Sequence, residues 1–216
     1  MAPTEAAPEL WVVAGPNGAG KSSIVGEMLR QSGAGYFNPD EVARSLRERT
    51  PRLDPVAANE AAWSEGKRLL EKCIATRRDF AFETTLGGNT IPALLHEAAD
   101  AGFRLHLWFL ALESADLHVA RVAERARQGG HAIAEELVRE RYDRSRRNLV
   151  LLIPRIAWLR VYDNSAPLRR GRPAPRLVLD FRDGRILDPQ AAATAPGWAR
   201  PIVSAAILVA RSRADR

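Results

Sequence analysis

Apolar residues fall along this chain in short continuous runs, separated by longer stretches of helical periodicity. Leu10–Ala14 (Leu-Trp-Val-Val-Ala), Phe80–Glu83, Phe103–Leu112 and Trp158–Tyr162 are such runs, and they predict buried strands; a shorter one lies near Tyr36 and Phe37. Between them the pattern predicts helices over Lys21–Arg30, from Asp40 to about Arg49, from Pro55 to about Arg78, and over Ile91–Ala101. Asp40, Asp54 and Ser114 are read as helix N-caps, with Pro55 in the first turn of the long helix. There Ala62, Trp63, Gly66, Leu69, Leu70 and Cys73 follow helical spacing, which predicts Cys73 in the core. The helix after Ser114 breaks at Gln128-Gly129-Gly130-His131, and a long Arg-rich helix follows to about Ile153. Arg176–Phe181 and Arg185–Leu187 flank Asp183-Gly184, a hairpin signal. Strands that are apolar throughout and alternate with helices imply a mostly parallel sheet covered on both faces, so the fold class is α/β. Residues 10–190 are read as one domain, with a helical lid at about 114–153 and a small C-terminal hairpin. Residues 1–9 are read as a disordered lead-in, Leu168–Pro175 as a loop, and the Ala/Pro-rich tail 191–216 is assigned no element.

Composition narrows the class. The 216 residues include 46% hydrophobic and 27% charged, which is an ordinary globular balance. A lone Cys73 excludes a disulfide framework and a cysteine-based zinc site. The net charge is +6, and only three of the 32 basic residues are lysines. Genome composition accounts for an arginine excess, and so does recruitment of guanidinium groups around an anion. No basic run, aromatic interleaving or zinc-finger spacing points to nucleic acid. No segment approaches the roughly 20 apolar residues that span a bilayer, and Glu5 and Glu9 stand where a signal peptide needs positive charge. The expectation is a soluble, cytoplasmic protein.

The candidate chemistry starts at Gly15-Pro16-Asn17-Gly18-Ala19-Gly20-Lys21-Ser22, which meets GxxxxGK[ST] at every fixed position and lies between a buried strand and a helix start. In a chain of this composition such a match arises by chance in about one sequence per thousand. The layout suits a polyphosphate. Glycines let backbone N–H groups curl around it, the helix N-terminus adds a positive dipole end, Lys21 reaches the β/γ-phosphates and Ser22 supplies a hydroxyl to magnesium. Gly15 through Ser23 are therefore the expected ATP-binding residues.

Phosphoryl transfer further needs in-line positioning, charge neutralisation and a proton acceptor for the nucleophile. Asp40 follows the second strand, at the edge where open α/β sheets bind ligands, and is the candidate base as well as the candidate cap. Glu83, Thr84 and Thr85 end the next strand and offer a carboxylate and two hydroxyls to a sugar or to magnesium-bound water, or form a simple turn. On the helix after Ser114, Val119, Val122, Ala123 and Ala126 form an apolar stripe, while Arg121 and Arg125 share another face, about 130° away. That face either closes on the transferred phosphoryl group or is solvated beside Glu124. His131 either touches phosphate or is an idle loop residue. The Arg-rich helix carrying Arg141 and Arg144 interleaves Glu135, Glu136, Glu140 and Asp143, and reads as a salt-bridged surface from which Arg141 or Arg144 can still turn inward.

Taken together, the phosphate loop with Ser23, Asn38-Pro39-Asp40-Glu41, Glu83-Thr84-Thr85-Leu86, and Arg121 through Arg125 to Gly129-Gly130-His131 resemble the zeta-toxin family in order and spacing. The likeness covers about Leu10 to Ser165. The Gly-Gly-His and Thr-Thr-Leu-Gly-Gly segments look closer to a chromosomal, toxin-like branch. The resemblance implies a phosphate-loop kinase fold and ATP with magnesium as cofactors. It implies phosphorylation of a sugar hydroxyl of UDP-N-acetylglucosamine, and an antitoxin protein as a partner. It further implies Lys21 as the phosphate-loop lysine, Asp40 as the base, Arg121 and Arg125 on the transferred phosphate, and Glu83 and Thr84 toward the sugar nucleotide; Asn38, Thr85 and His131 are added as substrate-binding candidates. Two other readings stay open: a kinase for another small hydroxyl compound or nucleotide, and a phosphate-loop ATPase or switch acting on a macromolecule.

Overall fold

The computed structural model describes residues 6–22, 36–128, 130, 132–167 and 174–215. The predicted helix from Ser23 onward, Gly129, His131 and most of the Leu168–Pro175 loop lie outside the described residues.

Five strands run parallel at the centre: β1 (Glu9–Ala14), β2 (Tyr36–Phe37), β3 (Phe80–Thr84), β4 (Arg104–Ala111) and β5 (Ile156–Asp163). β6 (Arg176–Arg182) and β7 (Arg185–Ile186) add antiparallel to β5, giving a seven-stranded sheet of order β2-β3-β1-β4-β5-β6-β7. The predicted hairpin is thus the edge of the main sheet. Its turn holds Asp183 at φ 47° and Gly184 at φ 84°, the paired positive φ of a two-residue hairpin loop. Sheet pairing begins early, since Arg104 donates its backbone N–H to Pro8 at 2.9 Å.

The helices follow from their caps and apolar faces. α1 (Pro39–Arg49) starts one residue before the predicted cap, because Pro39 fits the first helical position. Asn38, not Asp40, is the N-cap; its side-chain oxygen accepts from the N–H groups of Asp40 and Glu41. α2 (Pro55–Thr76) is capped by Asp54, which accepts from Val56 and Ala57, and it stops at Arg77 in the left-handed region. α3 (Thr90–Asp100), α4 (Ala115–Arg127, capped by Ser114) and α5 (Glu135–Leu152) follow. Among the described residues no helix is long and apolar enough to cross a membrane.

One sheet face carries the main core. Leu10 and Val12 of β1, Leu105, Leu107 and Phe109 of β4, and Leu159 and Val161 of β5 pack there with Leu94 and Leu95 of α3 and Leu149 and Leu152 of α5. Cys73 joins them at 6% exposure, as its helical spacing predicts. The tail contributes too. A short helix α6 (Pro189–Ala193) leads to α7 (Arg200–Ala214), and Trp198, Ile202, Val203 and Ala206 enter the same core.

β1 sits between β3 and β4, and the chain reaches these two neighbours on opposite sides of it. That is the topological switch point at which open α/β sheets open a crevice beyond the carboxyl ends of their strands. The phosphate loop leaves β1 at that point.

Ile202 is fully buried. Ile202→Ala is expected to cost about 2–5 kcal/mol of unfolding free energy in urea titrations, the penalty of a core cavity; a loss below about 1 kcal/mol would mean that α7 is a dispensable appendage.

Candidate active site

Local geometry forces the phosphate loop into its shape. Gly15 has φ 142°, and a Cβ there would lie 2.0 Å from the Leu110 carbonyl oxygen, so only glycine lets β1 turn this tightly against β4. Gly18 and Gly20 also have positive φ, 79° and 86°. Lys21 donates its ammonium to the Gly15 carbonyl at 2.8 Å and to the Pro16 carbonyl at 3.2 Å, which holds Nζ at the mouth of the loop. Ser23 lies outside the described residues.

Across the crevice, Glu83 at the end of β3 is the junction. Lys21 Nζ stands 3.6 Å from Glu83 Oε1, with side-chain exposures of only 7% and 8%. Glu83 Oε2 accepts from Ser22 Oγ at 2.8 Å, Tyr36 Oη at 2.9 Å and Asn38 Nδ2 at 3.2 Å. Asn38 faces both ways: its amide nitrogen serves Glu83, and its oxygen accepts from the Asp40 N–H at 2.9 Å. One carboxylate therefore joins the phosphate loop to the first turn of α1. Glu83, expected as a sugar contact or a ligand of magnesium-bound water, is packed against the loop's own serine and lysine. The Ser22 hydroxyl and Glu83 carboxylate are hard oxygen donors, of the kind magnesium takes from protein while phosphate and water complete its shell.

Asp40 belongs to the same site. It is 67% exposed and lines a cavity of about 590 Å³ together with Asn17, Lys21, Asn38, Glu83, Thr84 and Thr85. With the cap role taken by Asn38, its carboxylate is left to the cavity and to Arg125 of α4, whose Nη1 stands 3.8 Å from Oδ2. The threonines shape the floor. Thr84 Oγ1 accepts from Leu86 N at 3.0 Å and Thr85 Oγ1 from Gly87 N at 3.3 Å, and Leu86 is fully buried with φ 56°. α5 ties down this turn, through Ser145 Oγ to the Thr85 carbonyl and Asn148 Nδ2 to the carbonyls of Leu86 and Gly88.

The two expected lid arginines have different partners in this structure. Arg125 meets Asp40, whereas Arg121 donates to the carbonyls of Asn164 at 2.8 Å and Ala166 at 3.4 Å. Asn164 in turn donates to the Ala19 carbonyl at 3.0 Å, so Arg121 steadies the phosphate loop through the segment after β5. Burial draws the Arg121 guanidinium below its ordinary range, with Asp163 opposing. His131 lies outside the described residues.

Two further side chains anchor the loop, one that sequence reasoning missed and one that it left as an open alternative. His118 is fully buried; its Nδ1 lies 2.6 Å from the Asn17 carbonyl, and its Nε2 accepts from the Leu112 N–H at 3.1 Å. An Nε2 that accepts leaves Nδ1 as the donor, which is the neutral tautomer. Burial is the main cause that pushes this imidazole down to about 4, and nearby Lys21 and Arg121 act in the same direction. The buried side of α4 is accordingly His118 and Val122, while Ala123 of the predicted stripe is exposed. The i, i+4 spacing of His118 and Val122 was the available signal.

The second anchor is Arg141 of α5, which donates to Asn17 Oδ1 at 2.9 Å and lines the cavity with Arg144. Burial lowers its guanidinium, and Asp40 and Glu140 oppose the shift. It reaches this depth because Gly87 has no side chain: a Cβ there would sit 2.9 Å from Arg141 Cγ. Elsewhere α5 is salt-bridged as its charge pattern predicts, with Arg139, Arg144 and Arg146 paired to Glu135, Glu140 and Asp143.

A mostly parallel sheet of this order, with a phosphate loop at its switch point, defines a phosphate-loop protein with a kinase-like fold. A family model described as AAA domain matches residues 10–152, and the chain belongs to that family. An uncharacterized protein of Haemophilus influenzae is 30% identical over 142 residues, which are 62% of this chain and 97% of that protein. Among solved structures, AvrRxo1-ORF1:-ORF2 with ATP superposes with a TM-score of 0.65 at 15% identity, covering 89% of this chain and 65% of that one. This chain thus spans just under two thirds of that neighbour. A structure from the PezAT chromosomal toxin–antitoxin system of Streptococcus pneumoniae gives a TM-score of 0.56 at 13% identity, covering 100% of this chain and 90% of that one.

His118 makes stability depend on pH. Its folded-state value lies below the unfolded value of 6.5, so its contribution is complete above pH 6.5 and is lost as pH falls toward 4. The full loss is about 3 kcal/mol at one pKa unit per 1.36 kcal/mol. Denaturant unfolding at pH 7 and pH 4 is expected to show that slope, and His118→Gln is expected to flatten it; an unchanged slope in the variant would refute the assignment.

Proposed function

We propose that this chain is an ATP-dependent kinase that transfers the γ-phosphate to a hydroxyl of a small acceptor, with UDP-N-acetylglucosamine as first choice. One observation carries the reading: Lys21 and Asp40 open onto a single cavity and are fixed to each other through Glu83 and Asn38. In this arrangement the phosphate loop, residues Gly15 to Ser23, holds the ATP phosphates and Lys21 neutralises charge that builds on the transferred group. Ser22 and Glu83 would hold magnesium, which when bound screens the phosphate oxygens. Asp40 takes the proton of the acceptor hydroxyl, whose oxygen attacks the γ-phosphorus as the bond to ADP breaks. Arg125 holds the Asp40 carboxylate from the lid side, and Arg141 stands at the phosphate end of the cavity through Asn17. Thr84 and Thr85 line the acceptor side.

The acceptor choice rests on the zeta-toxin resemblance. An antitoxin-type protein is the partner that the same resemblance supports.

The deciding experiment incubates the protein with γ-labelled ATP, magnesium and nucleotide sugars. Label in a small product is expected; label only in free phosphate would instead establish an ATPase. Lys21→Ala is expected to abolish ATP use. Asp40→Asn is expected to keep ATP binding by calorimetry and to lose transfer by about 10²–10⁴-fold, and near-normal turnover in that variant would remove the base assignment.

A further inference from the structure

The cavity extends well beyond the atoms that reaction requires. At about 590 Å³ it is in the range of about 300–1,000 Å³ that encloses a drug-sized ligand, and larger than one sugar ring fills. Its far wall is α2, where Val56, Asn59, Trp63 and Lys67 recur at helical spacing along one side. α2 can lie this close because of Gly66: a Cβ there would stand 2.6 Å from Cε1 of Phe37, the residue just before Asn38. Gly66 thereby sets Trp63 and Lys67 at a fixed height above the end of β2.

Trp63 is 47% exposed, an unusual state for so large an apolar ring. Its exposed surface lies on a cavity wall, and Ile133 and Leu137 line the same cavity from the α5 side. Two cations besides Lys21 and Arg141 line it as well, Lys67 and Arg144. Lys67 is steadied by Glu71 one turn on, and Arg144 by Glu140 and by Asn89, to whose Oδ1 it donates at 2.8 Å. Aromatic surface beside apolar side chains and two steadied cations suits a ligand with a planar ring at one end and phosphate beside it.

Resting on the kinase reading above, we infer that Trp63 is the stacking platform for a nucleobase of the acceptor, and that Lys67 and Arg144 hold the acceptor's own diphosphate. The acceptor is then recognised as a nucleotide, with its reactive hydroxyl delivered to Asp40. An acceptor without a base forfeits the whole α2 contact.

The test separates binding from turnover. With the phosphate loop saturated by a non-hydrolysable ATP analogue and magnesium, UDP and GDP are titrated by calorimetry into the wild type, Trp63→Ala, Trp63→Phe and Lys67→Gln. At least one diphosphate is expected to bind the wild type. Trp63→Ala is expected to weaken it about 10–100-fold, as loss of a base-stacking ring does, and Trp63→Phe is expected to recover most of the loss. Lys67→Gln is expected to weaken it several-fold. Thermal unfolding of each variant confirms that it is folded. No binding of either diphosphate, or equal binding by a folded Trp63→Ala, overturns the inference, whether or not transfer occurs. Binding that depends on Trp63 without transfer of label to any acceptor supports the inference and overturns the kinase reading instead. Phosphorylation of free N-acetylglucosamine as efficiently as of UDP-N-acetylglucosamine also overturns the inference, while leaving the kinase reading intact.

Discussion

The contact between Lys21 and Glu83 is the constraint around which this site is arranged. Two nearly buried opposite charges 3.6 Å apart are costly to remove from water, and the cost is recovered only when the remaining hydrogen-bonding capacity is filled. Here Ser22, Tyr36 and Asn38 fill it for the carboxylate, and the Gly15 and Pro16 carbonyls fill it for the ammonium. The residues that meet this electrostatic requirement are also the residues that define the crevice. β1 supplies the loop, β3 the carboxylate, β2 the tyrosine and the approach to α1, so three neighbouring strands are registered at their carboxyl ends by one cluster. An uncompensated buried charge would remain if either Lys21 or Glu83 were lost.

The helices α4 and α5 brace the loop from above the sheet. α4 reaches the Asn17 backbone through His118, and reaches Ala19 indirectly through Arg121 and Asn164. α5 takes the Asn17 side chain through Arg141 and pins the Thr85–Gly88 turn through Ser145 and Asn148. The second half of α5 is core, with Leu149 and Leu152 fully buried. Of the expected lid segment, this part is therefore bolted to the domain.

Much of the architecture could be read directly from the chain. Strands inside the sheet are written as mostly apolar runs, so β1, β3, β4 and β5 are legible, and the phosphate loop is legible because its glycines and lysine have fixed spacing. Errors arose where a local rule had two solutions. Asp40 looked like a cap because carboxylates cap helices, but Pro39 fits the first helical position and passes the cap to Asn38. The predicted stripe on α4 contains the buried Val122 but leaves out His118, a polar residue by type that is buried because both its nitrogens find partners inside the protein. Glu83 could be seen as a strand-end acid, yet its link to Ser22 spans 61 positions and needs the fold. Five arginines on α5 look alike in sequence; the bare backbone of Gly87 is what leaves room for Arg141 to reach Asn17.

Asn17 has one further consequence. Its carbonyl answers to one helix and its amide oxygen to another, so a single residue samples the positions of both. Any relative sliding of those helices would be transmitted as torque on one peptide plane at the apex of the nucleotide cradle. Such a joint rewards concerted movement and resists independent movement, which makes the pair of helices one mechanical unit.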